Sequence, residues 1–329
     1  MNVRRLIPTA ALASATVLGL TALTACSSSS AADKNGDGKL SVTASFYPMQ
    51  YLAQEIGGDH VSVDTLTKPG VEPHDLELSP RQTAALGESD VILYLKGIQP
   101  AVDDAIGQSG VKNTVDAATL TKLEKHGTGV GHDHGHDHEG EEHAEEEHGH
   151  DEEGEAGADP HVWLDPVKYA EVAEGVGKAL EKADPDHAAA YKKNTKALVE
   201  KLDALNTKFE GGLKDTKTKT FITTHSAFGY LAERYGLDQE GISGIDPESD
   251  PSPARIKELQ DIAKEDKVST VFFETLASDK TAKTLANDAG LKTDVLDPLE
   301  GITDKSKGDD YIEVMESNLG ALEKALGAK

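Results

Sequence analysis

Cysteine occurs once, at Cys26, so the chain can form neither an internal disulfide framework nor a cysteine-based zinc site. Basic residues are also scarce. Thirty-three Lys and Arg face 59 Asp and Glu, a formal charge of −26, which disfavours nucleic acid and anionic lipid and attracts cations. No H-E-x-x-H helix and no G-x-S-x-G elbow is present, so the sequence offers no zinc-hydrolase or serine-hydrolase signature and reads as a non-enzyme. A secreted zinc hydrolase would also need an open coordination position beside a general base.

The apolar stretch Leu6 to Ala25 is short and rich in small residues for a membrane span. It follows Arg4 and Arg5 and ends in Leu23-Thr24-Ala25-Cys26, then four serines. This pattern predicts a lipoprotein signal peptide over 1–25, lipid on Cys26, and a polar flexible tether over 26–39. The protein is then extracytoplasmic and anchored to the cell membrane.

Histidine is the residue in surplus. Eight of 13 fall between His126 and His150, in a stretch to Ala158 that holds twelve carboxylates and no Lys or Arg. Such a tract binds metal by composition, yet it lacks the apolar residues to fold alone or to fix one geometry. His132, His134, His136, His138, His143, His148 and His150 are therefore expected to be auxiliary, weak metal sites. His74, His161 and His225 differ, because each sits alone in its own loop-like context: Glu72-Pro73-His74-Asp75, Asp159-Pro160-His161-Val162 and Thr224-His225-Ser226. His60, in a Gly-Gly-Asp turn, and His187, at the start of a long helix, read as solvated side chains.

β-branched or aromatic runs at Ser41–Phe46, Val61–Leu66, Val91–Leu95, Thr220–Thr224, Thr270–Phe273 and Thr293–Leu296 alternate with helical patterns. That alternation predicts an α/β fold with mainly parallel sheets. Ser79-Pro80, Asp165-Pro166, Asp184-Pro185 and Ser252-Pro253 each place a capping side chain before a proline, which marks a helix start. Tyr191, Leu198, Leu202, Leu205, Phe209 and Leu213 recur at helical spacing, predicting one helix of roughly 40 Å at 1.5 Å per residue. Its apolar repeat spans too few heptads for a coiled coil, so it reads as a rigid connector. The expected organisation is a lobe over 40–184 carrying the acidic insertion 126–158, a linking helix over 185–214, and a second lobe over 215–329.

In open parallel sheets ligands gather beyond the carboxyl ends of the strands, where all three lone histidines are expected. Asp297-Pro298-Leu299-Glu300 follows the strand ending at Leu296 and offers a carboxylate to complete a tetrahedral zinc site.

The motifs PHDLELSP (73–80), DPHVWLDP (159–166), TTHSAFGYLAERYGL (223–237) and VLDPLEG (295–301), in this order, resemble the zinc-uptake (ZnuA-type) group of cluster A-I solute-binding lipoproteins of ABC importers. The resemblance spans about Leu40 to Lys329. It implies two α/β lobes joined by one long helix, Zn(II) as transported ligand in the cleft between them, and delivery to an ABC permease and its ATPase by a monomer. Domain shifts in such a carrier should be small. Manganese members of the wider family carry a glutamate where this chain has His225, and a third imidazole favours zinc. Glu300 is preferred as the fourth ligand, with Asp297, the place of the manganese members' aspartate, or water as the alternative. A manganese carrier and a metal-binding surface adhesin or buffer are the competing readings.

Overall fold

The computed structural model describes residues 38–126 and 158–329. Cys26 and the histidines from His132 to His150 lie outside the described residues. The first half contains β1 (Leu40–Ala44), α1 (Tyr47–Gly57), β2 (Val61–Thr65), α2 (Pro80–Leu86), β3 (Val91–Tyr94), α3 (Pro100–Ser109), β4 (Thr114–Asp116) and α4 (Pro166–Ala183). After α5 (Ala188–Leu213) come β5 (Thr220–Thr223), α6 (Gly229–Tyr235), β6 (Asp238–Gly241), α7 (Pro253–Glu265), β7 (Thr270–Phe273), α8 (Lys280–Ala289), β8 (Lys292–Val295) and α9 (Tyr311–Leu326).

The strands form two four-stranded sheets, ordered β2-β1-β3-β4 and β6-β5-β7-β8, and every pairing is parallel. Helices cover parallel sheets on both faces, which is why the central strands Leu-Ser-Val-Thr-Ala and Thr-Phe-Ile-Thr are almost wholly buried. In each sheet the strand order reverses beside the central strand, β1 in the first and β5 in the second. At that reversal the carboxyl ends open a crevice.

Three of the four expected caps form. Ser79, Asp165 and Ser252 accept from Gln82, Val167 and Arg255 backbone N–H groups at the starts of α2, α4 and α7. Asp184 does not cap: Pro185–His187 is a 3₁₀ turn and α5 begins at Ala188. The Asp184 carboxylate accepts instead from Tyr191 Oη at 2.9 Å and meets His187 Nδ1 at 2.6 Å. Nor are His60 and His187 isolated, since their rings stack with centroids 4.0 Å apart.

The connector α5 has 26 residues, about 39 Å long. Its buried face is the predicted one: Tyr191, Leu198, Leu202, Leu205, Phe209 and Leu213. It packs against α1 and α4 from the first half and α6 and α9 from the second, and one apolar core runs continuously from Val42 and Leu52 through this face to Phe221 and Leu319. A helix embedded in the shared core resists bending, because any hinge there opens voids. Leu202 is fully buried, so Leu202→Ala should lower stability by about 2–5 kcal/mol, read as a reduced denaturation midpoint with little change in slope. An unchanged midpoint would show that α5 is not packed as described.

Candidate metal centre

Three imidazoles and one carboxylate converge between the two sheets. His74 Nε2, His161 Nε2 and His225 Nε2 lie 3.2, 3.3 and 3.2 Å from the same oxygen, Glu300 Oε1. One donor atom from each residue falls within 4.8 Å of all the others. His161, His225 and Glu300 are buried, and the His74 side chain is 9% exposed, so the cluster meets solvent at His74.

Each side chain has its own support. The loop after β2 carries His74, and the Glu72 carboxylate closes that turn by accepting from the His74 and Asp75 N–H groups at 3.0 and 3.2 Å. His161 precedes a 3₁₀ turn leading into α4. Asp159 Oδ1 accepts its backbone N–H at 3.0 Å and faces its Nδ1 at 2.8 Å. His225 follows β5, with its Nδ1 2.5 Å from Glu274 Oε1, and Glu274 itself follows the adjacent strand β7. These two residues thus sit at the switch point of the second sheet.

Glu300 is placed by a strained loop. Leu299 takes φ of 55°, a left-handed conformation that costs a branched residue about 1–2 kcal/mol. Its N–H donates to Asp297 Oδ1 at 2.9 Å, while Asn318 on α9 pairs with both backbone groups of Asp297. Trp163 Nε1, two residues past His161, donates to Pro298 O at 2.7 Å, and Tyr311 Oη donates to Trp163 O. The segments bearing His161 and Glu300 are therefore bonded to each other across the cleft.

The electrostatics call for a cation. Carboxylates on the Nδ1 side of His161 and His225 hold the ring proton there, which leaves each Nε2 lone pair aimed at Glu300. His161 Nε2, His225 Nε2 and Glu300 Oε2 are buried with no hydrogen-bond partner. The three edges that run to Glu300 Oε1 measure 3.2–3.3 Å, the separation of two ligands each about 2.0 Å from a tetrahedral zinc ion. In the metal-free protein the same carboxylates favour the protonated imidazoles. Burial acts to lower the His225 pKa, but Glu274 and Glu300 outweigh it and hold the imidazole well above its ordinary value. His161 is raised likewise, burial being outweighed by Asp159 and Glu300. Burial favours the neutral form of Glu300, yet His225, His161 and His74 hold it well below the usual carboxylate range.

Residues 42–325 match the family model described as zinc-uptake complex component A, periplasmic. The chain belongs to this zinc-uptake component A family. It is 39% identical over 315 residues to the high-affinity zinc uptake system protein ZnuA of Bacillus subtilis, covering 93% of this chain and 94% of that protein. It is 37% identical over 308 residues to the zinc-binding lipoprotein AdcA of Streptococcus pneumoniae serotype 4, covering 92% of this chain but only 58% of that longer relative. The crystal structure of the Zn(II)-bound ZnuA-like domain of Streptococcus pneumoniae AdcA superposes with a TM-score of 0.69 at 34% identity, over 88% of this chain and 99% of that domain.

In this family member Asp297 is not among the four grouped donors. Its Oδ2 accepts from Thr275 and Ser306 at 3.1 and 3.0 Å, so both of its oxygens are engaged in shaping the loop. Asp159 and Glu274 are the residues that sequence reasoning missed. Asp159 lay within a quoted motif, while Glu274 becomes visible only once β5 and β7 are known to be neighbours. Glu274→Gln keeps volume and an acceptor oxygen but removes the charge behind His225. It should weaken zinc binding about 10-fold or more in chelator competition, and unchanged affinity would reduce Glu274 to a packing role.

Proposed function

We propose that this protein is the extracytoplasmic zinc-binding component of an ABC importer, holding Zn(II) through His74, His161, His225 and Glu300 and passing it to a membrane permease powered by its ATPase. The observation that carries this reading is the convergence of three Nε2 atoms on one Glu300 oxygen in a buried cluster where His161 Nε2, His225 Nε2 and Glu300 Oε2 have no hydrogen-bond partner. The names of the relatives point the same way. Three imidazoles and a single carboxylate suit zinc better than manganese, which prefers more oxygen donors. A fully protein-built set of four donors serves carriage rather than catalysis, which needs a vacant position.

His74 and His161 belong to the lobe over 40–184, and His225 and Glu300 to the lobe over 215–329. Capture closes donors from both lobes around the ion. Release requires them to part, which strains the Trp163–Pro298 hydrogen bond and the Arg234–Asp165 ion pair that cross the same cleft. With α5 locked in the shared core, that parting is a small lobe shift plus movement of the His74 and Glu300 loops. Lipid on Cys26 keeps the carrier at the membrane. The histidines from His132 to His150 add weak sites that raise local zinc. Among the described residues no helix is long and apolar enough to cross a membrane.

Competition between metals tests the assignment. Equimolar zinc should displace manganese fully from the protein, and a strain lacking its own zinc carrier should regain zinc-limited growth with the intact gene but not with a His161→Ala copy. Retention of manganese against zinc would defeat the reading.

A further inference from the structure

His126 opens the acidic tract in sequence, yet in the structure it packs against the folded body. Its ring packs edge-on to Tyr230 with centroids 4.2 Å apart, in a space that exists because residue 229 is glycine: a Cβ there would lie 2.5 Å from the His126 side chain. His126 Nδ1 is 2.9 Å from Asp159 Oδ2, and its Nε2 is 2.9 Å from Glu233 Oε2. Donor atoms of Glu124, His126 and Glu233 all lie within 4.8 Å of one another.

Asp159 therefore orients two imidazoles, His161 through Oδ1 and His126 through Oδ2. Behind both rings a buried carboxylate faces Nδ1, and in front of both Nε2 meets an acid. That is the arrangement by which proteins present histidine to a transition metal. Two glutamates brought together beside such a ring add the negative charge that a dication offsets. Lys168 Nζ, 3.3 Å from Glu124 Oε1 and 2.8 Å from Lys122 O, holds Glu124 in place and neutralises part of that charge.

We propose that Glu124, His126 and Glu233 form a second, weaker site for a divalent transition metal of the zinc class on the flank of the cleft. It has two distinguishing features. Glu124 and His126 precede α4, whereas Glu233 lies on α6, so a metal here ties the two halves of the chain together. Through Asp159 the site also shares one carboxylate with His161, so an ion leaving the flank lies one residue away from the cleft donors. The flank fills after the cleft because it has three donors rather than four and the Glu233 side chain is 59% exposed. The choice of zinc rests on the proposed function, whereas the donor geometry does not.

Anomalous diffraction at the zinc edge separates this site from every other one on the intact protein. Crystals grown with one equivalent of zinc should show a peak in the cleft alone, and crystals in excess zinc a further peak within bonding distance of His126 Nε2 and the Glu233 carboxylate. Glu233→Ala, an exposed change on a helix, should remove the flank peak and keep the cleft peak. A filled cleft with an empty flank in excess zinc, or a flank peak that survives Glu233→Ala, overturns the inference and leaves the carrier reading standing. An empty cleft beside a filled flank overturns the carrier reading instead.

Discussion

His225→Ala should abolish tight zinc binding. A four-ligand zinc site supplies an apparent 10–16 kcal/mol, so one ligand accounts for about 3 kcal/mol or more, an affinity loss of roughly 100-fold or greater. The loss at His225 should exceed that of the other positions, because the variant also leaves the buried Glu274 carboxylate facing a void rather than an imidazole. His74→Ala is the cleaner companion: no carboxylate stands behind its ring among the described contacts, and the side chain reaches solvent. Chelator competition on both variants gives the affinities, and metal-free thermal unfolding separates lost binding from lost fold. Wild-type affinity in either variant would remove that histidine from the site.

Zinc affinity should fall steeply as pH is lowered, beginning above the ordinary imidazole pKa of about 6.5. His161 and His225 are both raised in the metal-free protein, so below their raised pKa values each carries a proton that zinc must expel. Two displaced protons give a limiting loss of about 100-fold per pH unit. Glu300 is held well below the usual carboxylate range and stays ionised throughout, so it adds nothing to the slope between about pH 5 and 8. The sign for the empty protein is opposite. A raised imidazole pKa stabilises the metal-free fold fully below about pH 6.5, and that contribution is lost as pH rises through the raised value. Acid therefore favours the empty carrier and mild alkali the loaded one. Calorimetry in buffers of different ionisation enthalpy counts the protons released. Glu274→Gln should shift the onset to lower pH, because it removes the largest influence raising His225. A flat profile from pH 5.5 to 8 would contradict a site built on these imidazoles.

The strands read from the sequence are the ones rich in β-branched and aromatic residues, and all six are present. The two that went unread, Thr-Val-Asp in β4 and Asp-Gln-Glu-Gly in β6, are short sheet edges. Backbone pairing with β3 and β5 makes them strands, and pairing leaves no mark on composition. The cap at Asp184 fails because His187 and Tyr191, one and two turns away, compete for its carboxylate. At the centre the sequence separated the lone histidines from the acidic tract and preferred Glu300 over Asp297. Spacing alone could not decide between those acids, since both follow β8 and both are buried, and only the folded loop shows that Glu300 is the one grouped with the imidazoles. The roles of Asp159, Glu274 and His126 depend on which strands and helices become neighbours, and sequence order does not contain that.

Zinc titration of the intact protein and of a form lacking residues 127–157 tests the central claim most directly. This deletion spares His126 and Asp159, which hold each other and His161 in place. The account predicts that the tightest binding event, one zinc per chain, survives the deletion unchanged and disappears in His161→Ala, while weaker equivalents are lost with the deleted segment. Loss of the tightest event on deletion, with all three cleft histidines intact, would contradict a zinc carrier whose principal site is preformed between the lobes.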